Sequence, residues 1–306
     1  MIELFNIPNH VIDTSKFSHL LHGDIVSEFE QNFAEYVGAK YACSANSASS
    51  LLFMALQRFP KPQIVSIPST MPIVVPNAVI AAGHRISFYN DIDWVGGCYH
   101  LHDDIFDSAQ QVSRNQYADL ERDDAIMIFS FYPTKPVSGC DGGIVVSNNK
   151  DKIEQIRTLS MNGTTVNADS WRREQTVAGY KMHWTSVQAY IANENLKKLD
   201  EKNSRLDQIR SAYNASFDYN NTSRHLYRIR VRSNHGFLQT MQASGIRCGI
   251  HYQHCHGKPA FREYEAQVNN LQQSEKESIE TVSLPFHEAL TDTEVEKIIY
   301  NVKRLI

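Results

Sequence analysis

Three short stretches of this sequence hold residues that chemistry could use together. In IFSFYPTK, Lys135 follows an apolar run and a tight turn containing Pro133. In IFDSAQQ, Asp107 ends another apolar run, and in SANSASS small residues open a predicted helix. A lysine amine held beside a sheet edge condenses with an aldehyde. A carboxylate at the end of a neighbouring strand pairs with a protonated pyridine nitrogen. Unpaired N–H groups at a helix start suit a phosphate dianion. Pyridoxal 5′-phosphate (PLP) presents an aldehyde, a ring nitrogen and a phosphate, so it is the cofactor these residues point to together. Each stretch alone has a plainer reading. A lysine after a strand is commonly surface decoration, an aspartate at a strand end forms turns, and a Ser/Ala run caps a helix.

Such residues need elements to position them. Ile25, Phe29, Phe33 and Tyr36 recur at helical spacing and predict an amphipathic helix over 23–36. A second helix follows SANSASS, carrying Leu51, Leu52, Met54, Ala55 and Leu56. Apolar runs at Ile64–Ile67, Ile86–Tyr89, Ala125–Phe129 and Ile144–Val146 lack polar alternation, as strands covered on both faces do. The expected architecture is α/β, with a mostly parallel sheet between helix layers. From Val187 to Tyr213, apolar positions trace one side of a long helix, with some drift. Tyr227, Ile229 and Val231 then alternate with Arg228, Arg230 and Arg232, marking a half-buried strand whose arginine side is either solvated or a seat for an anionic substrate. Ser233 is placed to cap a helix ending near Gly245, Arg247–Tyr252 reads as a strand, and Thr291 with Glu294 forms a capping box for a last helix. A large α/β domain over 1–215 and a small α+β domain over 216–306 are expected.

Bulk properties narrow the function class. The 306 residues suffice for a sizeable core, and 42% apolar with 21% charged residues is ordinary for a soluble globular chain. A net charge of −4 argues against nucleic acid or acidic membrane as a general partner. Five scattered cysteines without a C-x-x-C pair fit reduced thiols. The start, MIELFNIPNHVIDTSK, has no basic residues leading into an apolar stretch, and no apolar run is long enough to cross a bilayer. The expected location is cytoplasmic.

The order and wording of several segments resemble the DegT/DnrJ/EryC1/StrS family of PLP-dependent sugar aminotransferases, which share the aspartate-aminotransferase-like fold (fold type I). GDIVSEFEQNFAEYVGAKYA, IFDSAQQ, FSFYPTK followed by DGGIVVSNN, GYKMHWTSVQAYIANENLKKLDE and SGIRCGIHYQHCH carry the likeness. The resemblance implies Lys135 as the lysine that bonds the cofactor and moves protons, Asp107 at the pyridine nitrogen and Gln110 near the ring hydroxyl. It implies Ser130 at the phosphate, with Ser47–Ala48 offering mainly backbone amides there. Lys181, standing where the family has an asparagine, would reach the phosphate of a partner subunit in a homodimer. Tyr252 and His256 would lie on the substrate side. The implied amino donor is L-glutamate and the implied acceptor a nucleotide-linked keto-sugar; a smaller ketone or aldehyde is the alternative. The chain also departs from the pattern. Pro72, beside Met71, stands where an aromatic usually stacks on the cofactor. A strand–helix passage is missing between Asp93 and Asp107, and residues are missing again near Asn220–Arg224, so Asp107 would be reached by a more direct route.

Other readings compete. CYHLHDD sets His100 and His102 on one side of a strand near Cys98, Asp103 and Asp104, and with His251, His254, Cys255 and His256 this could form the metal site of a hydrolase. The plainer reading makes these sheet and loop residues. A module that kept the fold without catalysis would need neither Lys135 nor Asp107. A dehydratase on the same cofactor is disfavoured by Lys135, since such relatives carry histidine there.

Overall fold

The computed structural model describes residues 1–21, 23–164, 174–267 and 269–306. Helix α1 (Asp24–Val37) ends on Gly38, whose φ of 78° is a left-handed conformation suited to glycine. There follow β1 (Tyr41–Ala45), α2 (Ala48–Leu56), β2 (Ile64–Pro68), α3 (Val74–Ala81), β3 (Arg85–Tyr89), β4 (Tyr99–His102) and β5 (Ile105–Asp107). Next come β6 (Ile126–Ser130), β7 (Gly143–Ser147), α4 (Lys150–Ser160), α5 (Ser186–Lys197) and α6 (Leu199–Phe217). The chain finishes with β8 (Tyr227–Arg230), α7 (Asn234–Ala243), α8 (Gln272–Glu280), β9 (Thr281–Leu284) and α9 (Asp292–Lys303).

Strands β1, β7, β6, β5 and β4 form one sheet in that order, and the parallel β2–β3 pair lies beside β4. Sequence patterning anticipates full burial of the central strands, and their two faces divide as alternation requires. Ile126, Ile128 and Val145 pack toward α2, α3 and α4, whereas Met127, Phe129, Ile144 and Val146 pack toward α1 and α5. Phe129 has no exposed surface and meets Phe33 edge-on at 4.9 Å. Truncating such a ring costs about 3–5 kcal/mol, more than a surface ion pair contributes.

Strand directions in this α/β sheet are mixed. β5–β6 is parallel, as is β2–β3, while β1–β7, β6–β7 and β4–β5 are antiparallel. Chain length explains the β4–β5 pair. Asp103 and Asp104 alone join the two strands, whereas a parallel return needs about a dozen residues or more. This hairpin is the direct route to Asp107 that the shortened sequence implies. Asp103 takes a φ of 48° at its turn. The buried Asp104 carboxylate pins the tip through Arg58 at 2.7 Å and Lys152 at 2.6 Å.

The long helix expected over Val187–Tyr213 is two helices. Lys198, with φ −97° and ψ 0°, separates α5 from α6, and the drift in apolar spacing is the trace of that break. Leu206, Ile209, Tyr213 and Phe217 of α6 join Ile2, β8, β9, α7 and α9 in a separate C-terminal core, which therefore begins within α6. Ser233 precedes α7 without its side chain bonding the helix, but the Thr291–Glu294 capping box is present. The strand expected at Arg247–Tyr252 is reduced to one bridge, Gly249 to Ser283. Beyond it the chain leaves the β9 edge for the end of β2, where Cys255 N–H donates to the Ser69 carbonyl at 2.8 Å. No described helix is long and apolar enough to cross a membrane.

Candidate active site

Asp107 ends β5, and the Lys135 loop leaves the neighbouring β6 after Ser130. Asp107 is buried, with one carboxylate oxygen accepting from Ala109 N–H at 2.9 Å and the other from the Tyr99 hydroxyl at 3.0 Å. Burial raises its pKa, and those two donors together with the Lys135 charge work the other way. Lys135 is half-buried. Loss of hydration pushes its amine down to about 8, and the Asp107 charge limits the fall. The two residues lie at and just beyond the ends of neighbouring parallel strands, close enough for each charge to act on the other. The Lys135 loop is held from three sides. Lys135 N–H closes a turn onto the Tyr132 carbonyl at 2.9 Å, Lys202 donates to the Pro136 carbonyl at 3.1 Å, and Asn195 donates to the Ser138 carbonyl at 2.7 Å. His225 and His251 add cover, their imidazoles kept neutral first by burial and then by the Lys135 charge; His251 is lowered to about 4.

The start of α2 lies next to this pair. In the sheet, Gly143 is opposed to Ala45 on one side and to Ser130 on the other. A Cβ on Gly143 would come within 2.6 Å of the Ala48 nitrogen and 2.8 Å of the Phe129 carbonyl. Glycine here lets the helix start rest on the strand beside Ser130. Gly142 is constrained differently: its φ is 123°, and a Cβ would sit 2.2 Å from the Trp184 ring nitrogen. The DGG stretch therefore builds a cradle. Ser47 caps α2 by accepting from Ser50 N–H at 3.1 Å, leaving the Ala48 and Ser49 N–H groups without a partner among the described residues. Two orphan amides, a helix dipole and the Ser130 hydroxyl fit a phosphate dianion. Gly143→Ala is expected to weaken PLP affinity at least tenfold and to cost about 1–3 kcal/mol of stability through overpacking. Cofactor titration and thermal melting check both.

The other sequence-predicted residues fall around this centre. Gln110 is buried, and its side-chain oxygen accepts from Gly96 N–H at 2.7 Å, so its amide NH₂ is the end left for a ligand. Lys181 is exposed, and the adjoining Met182 carbonyl accepts from Asn46 N–H at 2.8 Å, next to Ser47. Tyr252 feels the Asp107 charge, which adds to the rise that burial causes in its phenol pKa. His256 is tied on both sides, by Ser69 at 2.5 Å and Glu275 at 3.3 Å, an arrangement that anchors its loop. Pro72 is partly buried just before α3.

The histidine cluster does not converge. His100 donates to the Asp103 carbonyl at 2.7 Å, His102 meets Gln63 at 2.9 Å, and Asp104 is engaged by Arg58 and Lys152. Among the described residues, no group of three or more His, Cys, Asp or Glu is placed to hold a metal ion. Sequence reasoning overlooked Tyr99 and Trp94. The signal lay in CYHLHDD itself: Asp-Asp between two strand-forming runs marks a hairpin, which turns Tyr99 onto Asp107.

A cavity of about 740 Å³ adjoins the centre through Gln110 and Pro136, lined by neither Lys135 nor Asp107. Both shortened stretches reach its wall, at Ile92–Gly97 and Tyr219–Arg224. Arg210, Arg224, Arg228 and Arg230 face it, with Asp93 and Glu277 as the lining carboxylates. Arg228 lies 3.6 Å from Glu277, and its Nε is buried without a hydrogen-bond partner among the described residues.

A mixed sheet between helix layers, with a lysine and an aspartate converging beside a helix start, is the arrangement of fold-type I aminotransferases, and solved structures share the fold. PseC of Helicobacter pylori, an aminotransferase involved in the biosynthesis of pseudoaminic acid, superposes with a TM-score of 0.79 over 99% of both chains at 18% identity. Spr1654 of Streptococcus pneumoniae, solved in a PLP form, gives 0.80 over 98% of this chain and 97% of its own at 17% identity. Residues 6–99 and 105–303 match the DegT/DnrJ/EryC1/StrS aminotransferase family, and the chain belongs to that family. The break at 100–104 takes in most of β4 and the two-residue turn into β5. A curated relative, the UDP-4-amino-4,6-dideoxy-N-acetyl-beta-L-altrosamine transaminase of Campylobacter jejuni, is 26% identical over 89% of this chain and 87% of its own length. The protein is a transaminase, from a family whose aminotransferases use PLP.

Proposed function

We propose that this enzyme holds PLP on Lys135 and transfers an amino group, from L-glutamate, to a nucleotide-linked keto-sugar. The observation that carries the reading is the convergence of Lys135 and Asp107 on one site beside the Ser130–Gly143–Ala48 cradle. Bound PLP supplies an aldehyde that takes up the amino group and a protonated ring that draws electrons from the donor's Cα. Asp107 keeps a negative charge at the ring nitrogen, in a buried setting where that charge is felt strongly. Lys135 would hold the cofactor through its amine, and that amine, when free, would take and return the donor's Cα proton. Its pKa near 8 suits taking and returning a proton near neutral pH. Ser130 and the Ala48 and Ser49 amides would hold the phosphate, and the Gln110 amide would be available to the ring hydroxyl.

The sugar nucleotide follows from the kinship with the Campylobacter transaminase and from the arginine-lined cavity, which suits a diphosphate. Arg228→Gln is expected to raise KM for the sugar nucleotide about tenfold, leaving the glutamate half-reaction unchanged. Steady-state and single-half-reaction kinetics separate the two effects. Tyr252 and His256 lie on the substrate side in this reading, His256 by holding its loop. A homodimer is the working form. Lys181 is exposed, as reaching a partner's cofactor requires, and Ile73, Val74 and Tyr132, near Pro72 and Lys135, are exposed apolar surface that a second copy would cover. The cytoplasm, where nucleotide sugars are made, is the proposed location. The direct test supplies ¹⁵N-glutamate with a panel of nucleotide keto-sugars and small ketones and aldehydes: label in an amino-sugar supports the proposal, and label only in amines formed from the small carbonyls replaces the acceptor class.

A further inference from the structure

We infer that Tyr99 is a positioning residue for Asp107, its phenol holding the carboxylate charged and aimed at the cofactor's ring nitrogen. The inference rests on Asp107 being the ring-nitrogen partner. Tyr99 and Asp107 are directly opposed on antiparallel β4 and β5, and the phenol donates to the carboxylate at 3.0 Å. This cross-strand donor exists because β4 doubles back along β5 through a two-residue turn; a strand entering by a parallel crossover would not present this pairing. Tyr99 and Asp107 are 8% and 4% exposed, so water does not substitute for the phenol.

The phenol's aim is fixed from behind. Trp94 packs on Tyr99 with ring centroids 4.7 Å apart and lies nearly parallel to Tyr252, at 6.3 Å and 4°. The hairpin cannot easily slip, because Asp104 at its tip is locked by Arg58 and Lys152. The charged and titratable groups around Asp107 are Tyr99 from β4, Lys135 from the loop after β6, Tyr252 from the loop before α8 and Cys98 just before β4. Burial raises the pKa of each of the three neighbours other than Lys135, so they stay neutral near pH 7. Tyr99 therefore donates throughout the working range. With Ala109 N–H on one oxygen and Tyr99 on the other, the carboxylate opposes the push of burial toward neutrality. A remaining lone pair, its direction fixed by those two bonds, would then be left for the ring nitrogen.

Tyr99→Phe keeps the ring packing and deletes only the hydrogen bond. The expected result is PLP bound about tenfold more weakly or worse, with the pH midpoint of the bound cofactor's absorption moved from its wild-type value. Replacing Tyr99 with 3-fluorotyrosine, a stronger donor of nearly the same shape, is expected to move that midpoint the opposite way. A purely structural role would lower the melting temperature while leaving affinity and midpoint unchanged in both variants, and that result overturns the inference. If Tyr99→Phe does not fold, the fluorotyrosine protein decides alone: an unmoved midpoint overturns the inference. Asp107→Asn run alongside separates the two levels. Wild-type affinity and turnover in Asp107→Asn would sink the ring-nitrogen assignment itself, whereas a crippled Asp107→Asn with a wild-type Tyr99→Phe removes Tyr99 alone.

Discussion

Lys135→Ala is expected to abolish transamination, by about four orders of magnitude or more, while PLP remains bound only as a dissociable ligand. The size follows from two losses at one position. In the proposed role the residue bonds the cofactor covalently and its amine moves the Cα proton, a role worth roughly 10²–10⁴ by itself. Because the Lys135 amine is lowered to about 8, and only the neutral amine attacks an aldehyde, cofactor uptake by the apoprotein should accelerate as pH rises through about 8. Stopped-flow absorbance gives that midpoint. Activity assays on dialysed Lys135→Ala, with added PLP, give the turnover loss; a loss under tenfold contradicts the role.

Asp107→Asn should lower kcat about 10²–10³-fold, the range seen when one preorganised electrostatic group is removed from a buried site. Cofactor binding should survive in part, because the phosphate cradle at Ala48, Ser49 and Ser130 is untouched. A second signature is independent of turnover. The Asp107 charge raises the Lys135 pKa, so an amide at 107 lets it fall, and the pH midpoint for cofactor uptake should drop below that of the wild type. An unchanged midpoint would mean that the two side chains do not share a site. An unchanged kcat would remove Asp107 from the chemistry.

Much of this arrangement is legible in the sequence because it depends on local, periodic signals. Continuous apolar runs mark β6 and β7 as buried on both faces, and SANSASS marks the start of α2. The Pro-containing turn after β6 places Lys135 at the sheet edge. The tertiary consequences of missing chain are harder to read. A shortened stretch before Asp107 signals a lost crossover, but reversal of β4 depends on Asp103 accepting a positive φ and on Asp104 finding Arg58 and Lys152 far away in sequence. Without that reversal in view, His100 and His102 look like ligands and Tyr99 is overlooked. The break between α5 and α6 is present only as drift in apolar spacing. The reduced strand at Arg247–Tyr252 shows the limit of patterning, since a strand also needs a free partner edge, and here the chain crosses to β2 instead.

The central claim is that the Lys135 amine carries the cofactor. Borohydride treatment of the PLP-loaded enzyme, followed by protease digestion and mass spectrometry, reads it directly. The reduced cofactor mass should appear on the peptide containing FSFYPTK and fragment to Lys135. Its appearance on another lysine, or no retained mass in a preparation that transaminates, would contradict the assignment.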